Sequence, residues 1–197
     1  MFYYFKRGFF PFLYLLFMFV IALGITAING LVALKYILAT LNLALYFFVV
    51  GAIAFKDGQD ALKVRMRNDL ERREIIRTGE DRPLKIHEEY KPYKGALIAL
   101  ATCSPMIILL LIQAVFNLTG VASATCGIIT SYIYFVVFVF FRIAELQISN
   151  WGFFFSLSFL ALMVPVYTIL YNLGARKIEK QQEKIYAGKE SAYGGRK

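Results

Sequence analysis

Apolar residues in this 197-residue chain are grouped into five long blocks separated by polar segments. The blocks are Phe9 to Ile28, Leu31 to Phe55, Gly95 to Phe116, Gly120 to Phe141 and Trp151 to Tyr171. As an α-helix, a block of about 22 residues reaches about 33 Å, enough to cross a hydrocarbon layer of about 30 Å. The blocks lack the alternating pattern of membrane barrel strands. We therefore predict an all-α, polytopic helical membrane protein with five hydrophobic segments, of which four or five span the membrane.

The polar segments divide the predicted fold into four regions. These are a first transmembrane hairpin (1–55), a charged helix and loop (56–94), a second group of membrane helices (95–172) and a basic C-terminal tail (173–197). In the second region, charged pairs at helical spacing predict a helix over Asp57 to Thr78 that continues from the second block. Gly79 is a typical stop signal for that helix.

The remaining polar stretches carry weaker signals. Two prolines between Glu80 and Lys94 predict an extended segment, because a residue that precedes proline disfavours the helical conformation. The composition of the tail favours a helix to Tyr186 and a disordered end from Gly188 onward.

Basic residues predict the orientation. Segment 56–94 contains eleven Lys and Arg and the tail contains seven. Loops rich in Lys and Arg lie in the cytoplasm, so we expect a multi-pass protein of the cell (plasma) membrane with both regions inside. Lys6 and Arg7 place the N-terminus on the same side.

The basic tail conflicts with a simple count of crossings. Five complete crossings that begin in the cytoplasm end outside. We expect the fourth block, Gly120 to Phe141, to resolve the conflict, because its first third is small and weakly polar. A re-entrant or interfacial segment there returns the tail to the cytoplasm, and such backbone is tolerated where protein buries it. The alternative is five full spans and an external tail.

Composition supports a membrane protein and excludes other classes. The chain is 59% hydrophobic and 18% charged, against about 45–50% and about 25% in soluble domains. The net charge of +9 is attributed to the cytoplasmic bias, since no module of aromatic and basic residues for nucleic acid accompanies it. The two cysteines, Cys103 and Cys126, form no metal or redox motif, and we expect neither a metal nor a cofactor.

Few strongly polar side chains interrupt or border the apolar blocks, and these are the candidate intramembrane or interfacial polar residues: Lys35, Asn42, Gln113, Arg142 and Glu145. Lys35 is near a helix start and can extend to the interface. No Asp, Glu or His lies at mid-depth in a block. Proton relays and intramembrane metal enzymes need such groups, so we expect no enzymatic activity.

The charged region offers candidate interaction residues. Four apolar residues of the predicted helix lie on one side of a helical wheel: Leu62, Met66, Leu70 and Ile76. Tyr90 and Tyr93, beside lysines, match the aromatic belt at a membrane surface, where basic residues also attract anionic lipid headgroups.

These features favour a non-enzymatic integral membrane protein that serves as a subunit or scaffold of a membrane complex through its cytoplasmic loop and tail. The expected partners are the lipid bilayer, anionic lipid headgroups and other membrane or cytoplasmic protein subunits. The alternative is a substrate-binding membrane subunit of a transporter for a neutral or aromatic small molecule. Such a subunit takes its energy from a partner ATPase, because this chain has no P-loop.

Overall fold

All regular secondary structure in the described residues is helical. The computed structural model describes residues 2–28, 30–80, 83–119, 140, 143–144 and 157–194. They form α1 (Phe2–Ala27), α2 (Val32–Thr78), a short 3-10 helix (Ile86–Glu88), α3 (Lys94–Thr119) and α4 (Leu157–Gly194). Each of the four α-helices is long and apolar enough to cross a membrane. The predicted helical fold class is therefore confirmed for these residues.

Four of the five predicted segments overlap these helices, and the fourth lies almost entirely outside the described residues. Of the block from Gly120 to Phe141, only Phe140 belongs to the described residues. The expectation of an incomplete crossing there, and with it the count of five, falls outside the described part of the chain.

The helices extend further than the apolar blocks. Helix α1 begins at Phe2, seven residues before the first block. Helix α2 continues unbroken for 47 residues, which is about 70 Å and twice the thickness of a hydrocarbon layer. It ends where Gly79 adopts a φ of 73° and donates its N–H to the Ile75 carbonyl at 2.8 Å, an arrangement typical of helix C-termini.

Two further boundaries differ from the sequence-based expectation. Residues 117–119, predicted as a connection, form the last turn of α3, and the Thr119 hydroxyl donates to the Val115 carbonyl at 3.0 Å. Helix α4 continues to Gly194, into the stretch for which composition predicts disorder. Lys189 and Glu190 have good helix propensity, so one helix contains residues 157–171 of the fifth apolar block and most of the tail.

The chain divides into two compact units. The apolar unit comprises Met1–Val50 and Leu97–Pro165, and the polar unit comprises Gly51–Ala96 and Val166–Lys197. The boundaries between them fall inside helices, since α2, α3 and α4 each contribute to both units.

The apolar unit is built around the buried Tyr46. Its ring stacks on Tyr14 with centroids 6.0 Å apart and packs against Phe159 at 5.6 Å. Its hydroxyl lies 3.9 Å from the sulfur of Met163. Many large apolar side chains elsewhere in this unit are exposed, among them Phe10 and Phe48, as expected of surfaces that face lipid.

The polar unit depends on a close crossing of α2 and α4 that we call the glycine crossing, formed by Gly58 and Gly174. A Cβ atom on Gly58 would overlap the carbonyl oxygen of Tyr171, and one on Gly174 would overlap the carbonyl oxygen of Phe55. Each glycine therefore lies against the backbone of the other helix. Small residues allow this approach between helices, and Ala54, Ala61 and Ala175 are buried in the same unit.

We predict that Gly58→Ala or Gly174→Ala destabilises the protein, because the added methyl group meets rigid backbone rather than a movable side chain. Overpacking of this kind costs about 1–3 kcal/mol or more. Gly24→Ala is the matched control, since nothing lies within 4 Å of a Cβ there and alanine is the better helix former. Thermal unfolding followed by circular dichroism in detergent should show a lower Tm for the crossing variants only. An unchanged Tm for Gly58→Ala would contradict the close crossing.

Candidate functional site

The most organised polar arrangement in the described residues holds segment 85–94 onto α2, with the Glu89 carboxylate at its centre. The Glu89 side chain is only 10% exposed. Its Oε1 atom accepts hydrogen bonds from Asn68 Nδ2 at 2.8 Å and from the Arg72 guanidinium at 2.6 Å. Asn68 is fully buried, and its Oδ1 atom accepts the Lys85 N–H at 3.4 Å. Because a buried carboxylate is costly without partners, these bonds fix the segment in one position.

Lys94 closes the segment from its other end. It is the first residue of α3 and is buried. Its ammonium group donates to the His87 carbonyl at 2.6 Å and to the Glu89 carbonyl at 2.7 Å. Carbonyls at the end of a helical turn need such donors. This explains why the stretch predicted as extended contains the 3-10 helix Ile86–Glu88: the His87 carbonyl within it and the Glu89 carbonyl after it bind an ammonium group seven and five residues further along the chain.

Tyr90 attaches the segment to both long helices of the polar unit. Its N–H donates to the Ala61 carbonyl of α2 at 3.0 Å, and its hydroxyl donates to Asn172 Oδ1 of α4 at 2.8 Å. Its ring stacks on the buried Tyr171 with centroids 5.6 Å apart. We call the set that holds segment 85–94 in place the loop clamp, and its members are Asn68, Arg72, Glu89, Tyr90, Lys94 and Asn172.

The electrostatic setting of Tyr90 follows from this position. Burial raises the pKa of its phenol above the ordinary value of 10.0. The nearby Arg176 and Arg65 guanidinium groups lower this pKa, and the Glu179 carboxylate raises it. Burial has the largest effect, so the pKa is raised overall. The neutral phenol is therefore the form that donates to Asn172.

A second buried carboxylate lies beside the glycine crossing. Asp57 is buried on α2, and its Oδ2 atom accepts the hydroxyl of the fully buried Tyr167 at 2.8 Å. Like Glu89, it has a hydrogen-bond donor from another segment of the polar unit. Such bonds between a carboxylate and a donor favour one relative position of the two helices, because an unpaired buried carboxylate is costly.

The four apolar residues predicted to form one stripe on α2 have different environments. Leu62 is buried and Met66 is half-buried. Leu70 is 61% exposed and Ile76 is 85% exposed. The N-terminal part of the stripe, at Leu62, thus belongs to the core of the polar unit. The C-terminal part, at Leu70 and Ile76, is exposed.

The two candidate tyrosines also differ. Tyr90 is part of the loop clamp, whereas Tyr93 is 54% exposed with the Lys91 ammonium 5.9 Å from its ring centroid. The His87 side chain is exposed, and the backbone carbonyl of this residue accepts a hydrogen bond from the Lys94 ammonium group.

The candidate polar residues of the membrane region are found in the apolar unit or lie outside the described residues. Lys35 is half-buried near the start of α2. Asn42 is buried and donates to the Met18 carbonyl at 3.1 Å, and Gln113 is buried on α3. Arg142 and Glu145 lie outside the described residues.

Sequence reasoning missed most of the loop clamp. The sequence pattern does not distinguish Asn68, Glu89 and Lys94 from the other polar residues around them. The spacing of small residues on α2 indicates one buried face. These residues are three or four positions apart, as expected along one side of a helix: Gly51, Ala54, Gly58 and Ala61. Asn68 continues that face seven residues after Ala61, which places a polar side chain on a buried surface.

No family model matches the chain, and no curated protein or solved structure was found to be similar to it. Among the described residues, no three His, Cys, Asp or Glu side chains are grouped so as to hold a metal ion. The bonds of the loop clamp connect backbone and side chains of the protein to one another.

We predict that Glu89→Ala loosens segment 85–94, because it leaves the buried Asn68 amide without its acceptor and Arg72 with Asp69 as its carboxylate partner. The loss of a buried acceptor costs about 1–3 kcal/mol, so the Tm should fall and trypsin should cleave faster after Lys85. Glu88→Ala removes the same charge from the neighbouring position and should change stability by less than about 0.5 kcal/mol. Equal cleavage rates in the two variants would contradict the role of Glu89.

We predict that the contribution of Tyr90 to stability depends on pH. The raised phenol pKa means that the folded state retains the proton more strongly than the unfolded state. The resulting stability is present below pH 10 and is lost as the pH rises through the pKa of the folded protein. The Tm difference between the wild type and Tyr90→Phe should therefore shrink from pH 8 to pH 11. Tyr93→Phe is the control, and the same shrinkage in that variant would refute the assignment.

Proposed function

We propose that this protein is a non-enzymatic subunit or scaffold of a membrane complex, and that its polar unit is the docking surface for a protein partner. The polar unit carries the basic segment and tail, so we place it, with both termini, in the cytoplasm of a cell-membrane protein. The observation that carries the proposal is the loop clamp, which holds an otherwise irregular segment on two helices through buried hydrogen bonds.

A fixed surface suits a docking role. A flexible loop loses conformational freedom when it binds, which lowers affinity, whereas a surface that is already ordered loses little. Segment 85–94 is joined to α2 through Glu89 and to α4 through Tyr90. The side chains it exposes therefore have set positions before a partner arrives.

The end of α2 supplies the exposed apolar surface. Leu70 and Ile76 are largely exposed on an otherwise charged helix, and Ile86 of the neighbouring segment is 52% exposed. Exposed apolar residues on a charged element are typical of protein contact sites when they occur together. These three residues are our candidates for the centre of the docking surface.

The alternative, a transporter subunit that binds a neutral or aromatic molecule, receives less support. Such a site needs polar groups that are available to a ligand inside the apolar unit. The amide nitrogen of Asn42 is bound to the Met18 carbonyl, and Tyr46 is surrounded by aromatic side chains. These contacts are typical of helix packing.

The proposal is tested by site-specific photo-crosslinking in native membranes. A benzophenone amino acid is placed at Leu70 or Ile76, and at Lys63, an exposed position earlier on the same helix, as the control. We expect a discrete product heavier than the monomer from positions 70 and 76 and little from position 63. Monomer alone at all three positions, or the same products from all three, would contradict a docking surface at the end of α2.

A further inference from the structure

Exposed basic residues gather where α2 and α4 leave their apolar stretches. Lys56 directly follows Phe55, the last residue of the second apolar block, and it is exposed. On α4, Arg176 and Lys177 are exposed one turn after Leu173. All of these residues belong to the polar unit.

Contacts within the polar unit bring the basic residues of the two helices to one place. Gly174 lies against the Phe55 carbonyl at the glycine crossing, and the Lys177 ammonium lies 5.5 Å from the centroid of the Phe55 ring. Lys56 is the next residue after Phe55 on α2, so its backbone lies at the same crossing that Lys177 contacts from α4. Arg176 is close enough to the Tyr90 phenol to influence its pKa. We call Lys56, Arg176 and Lys177 the basic cluster.

The charge of this cluster exceeds that of the neighbouring acids, since Glu179 on α4 is one carboxylate beside three bases. Other bases of the polar unit have carboxylate partners, as in the Lys63–Asp60 and Arg67–Glu71 pairs. Within the described part of the chain, none of the three cluster residues forms an ion pair at 4.0 Å or less. Asp57, the acid that follows Lys56, is buried and accepts the Tyr167 hydroxyl, and Glu179 follows Lys177 by two residues.

We propose that the basic cluster binds the phosphate of an anionic phospholipid. A guanidinium group and two ammonium groups match a phosphate in charge and in hydrogen-bond donors. They lie at the level where apolar helix gives way to polar helix, which is where lipid headgroups are found. Tyr93, exposed beside Lys91, is an aromatic residue of the kind that occupies the same level.

This inference rests on the apolar helices and the basic cluster, not on the docking of a protein partner. It also goes beyond the basic character of the loop and tail as a whole, because it assigns lipid binding to three residues on two helices. Bases further along the helices are not expected to take part. Arg73 is about 25 Å beyond Lys56 along α2, which is well over the screening length of about 8 Å at physiological ionic strength.

The proposal is tested with the full chain reconstituted in phosphatidylcholine vesicles that contain trace spin-labelled phosphatidylglycerol or phosphatidylcholine. Electron spin resonance gives the fraction of each label immobilised by the protein, and hence the preference for the anionic lipid. The test variant is Lys56→Gln, Arg176→Gln and Lys177→Gln combined. The matched control is Arg73→Gln, Arg77→Gln and Lys184→Gln combined, which removes the same charge from exposed positions distant from the crossing.

We expect the test variant, which lacks three bases, to lose the preference for phosphatidylglycerol by at least about fivefold, the effect of one base near a charged surface, and the control variant to retain it. Raised salt should weaken the preference of the wild type.

Equal loss in both variants would show a general charge effect and overturn the proposal, as would an unchanged preference in the test variant. Displacement of the labelled lipid by soluble glycerol phosphate would overturn the assignment to a bilayer lipid. Both variants should remain folded, since the substituted side chains are exposed. The control should keep the wild-type Tm, and the test variant should show a small decrease because it loses the Lys177–Phe55 contact.

Discussion

The glycine crossing is the constraint on which the polar unit depends. Two backbone carbonyls, those of Tyr171 and Phe55, occupy the space where Gly58 and Gly174 would otherwise carry side chains. The resulting approach of α2 and α4 allows Asp57 to reach the Tyr167 hydroxyl. The neighbouring contacts of the unit, the Tyr90–Asn172 bond and the Lys177–Phe55 contact, depend on the same approach.

The loop clamp shows how a chain with little apolar sequence between residues 80 and 94 becomes ordered. Its stability comes from buried polar groups that have found partners, chiefly the Glu89 carboxylate and the Lys94 ammonium. A network of this kind is sensitive to the loss of any member, because the remaining buried groups are then left unsatisfied. It also determines which side chains the segment presents, and this is the basis of the docking role that we propose.

The sequence predicted the parts of the fold that depend on local pattern. Long apolar blocks indicate helices because unpaired backbone groups are not tolerated in lipid, and Gly79 ends α2 as its type and position indicate. The pairing of Asn68 with Glu89 could not be predicted, because it depends on a turn whose carbonyls are bound by Lys94. The helical wheel likewise could not distinguish Leu62 from Ile76, since their burial depends on how far along α2 the other segments of the polar unit extend.

Segment 85–94 is a fixed part of the polar unit, and hydrogen exchange at the Tyr90 amide tests this attachment most directly. That N–H donates to the Ala61 carbonyl at 3.0 Å, a bond between the segment and α2. Hydrogen–deuterium exchange of the reconstituted protein, resolved to single amides, should show Tyr90 exchanging much more slowly than the exposed Lys91 beside it. Exchange of the Tyr90 amide as fast as that of Lys91 would mean that the segment is not bonded to α2, which would contradict a fixed position for segment 85–94.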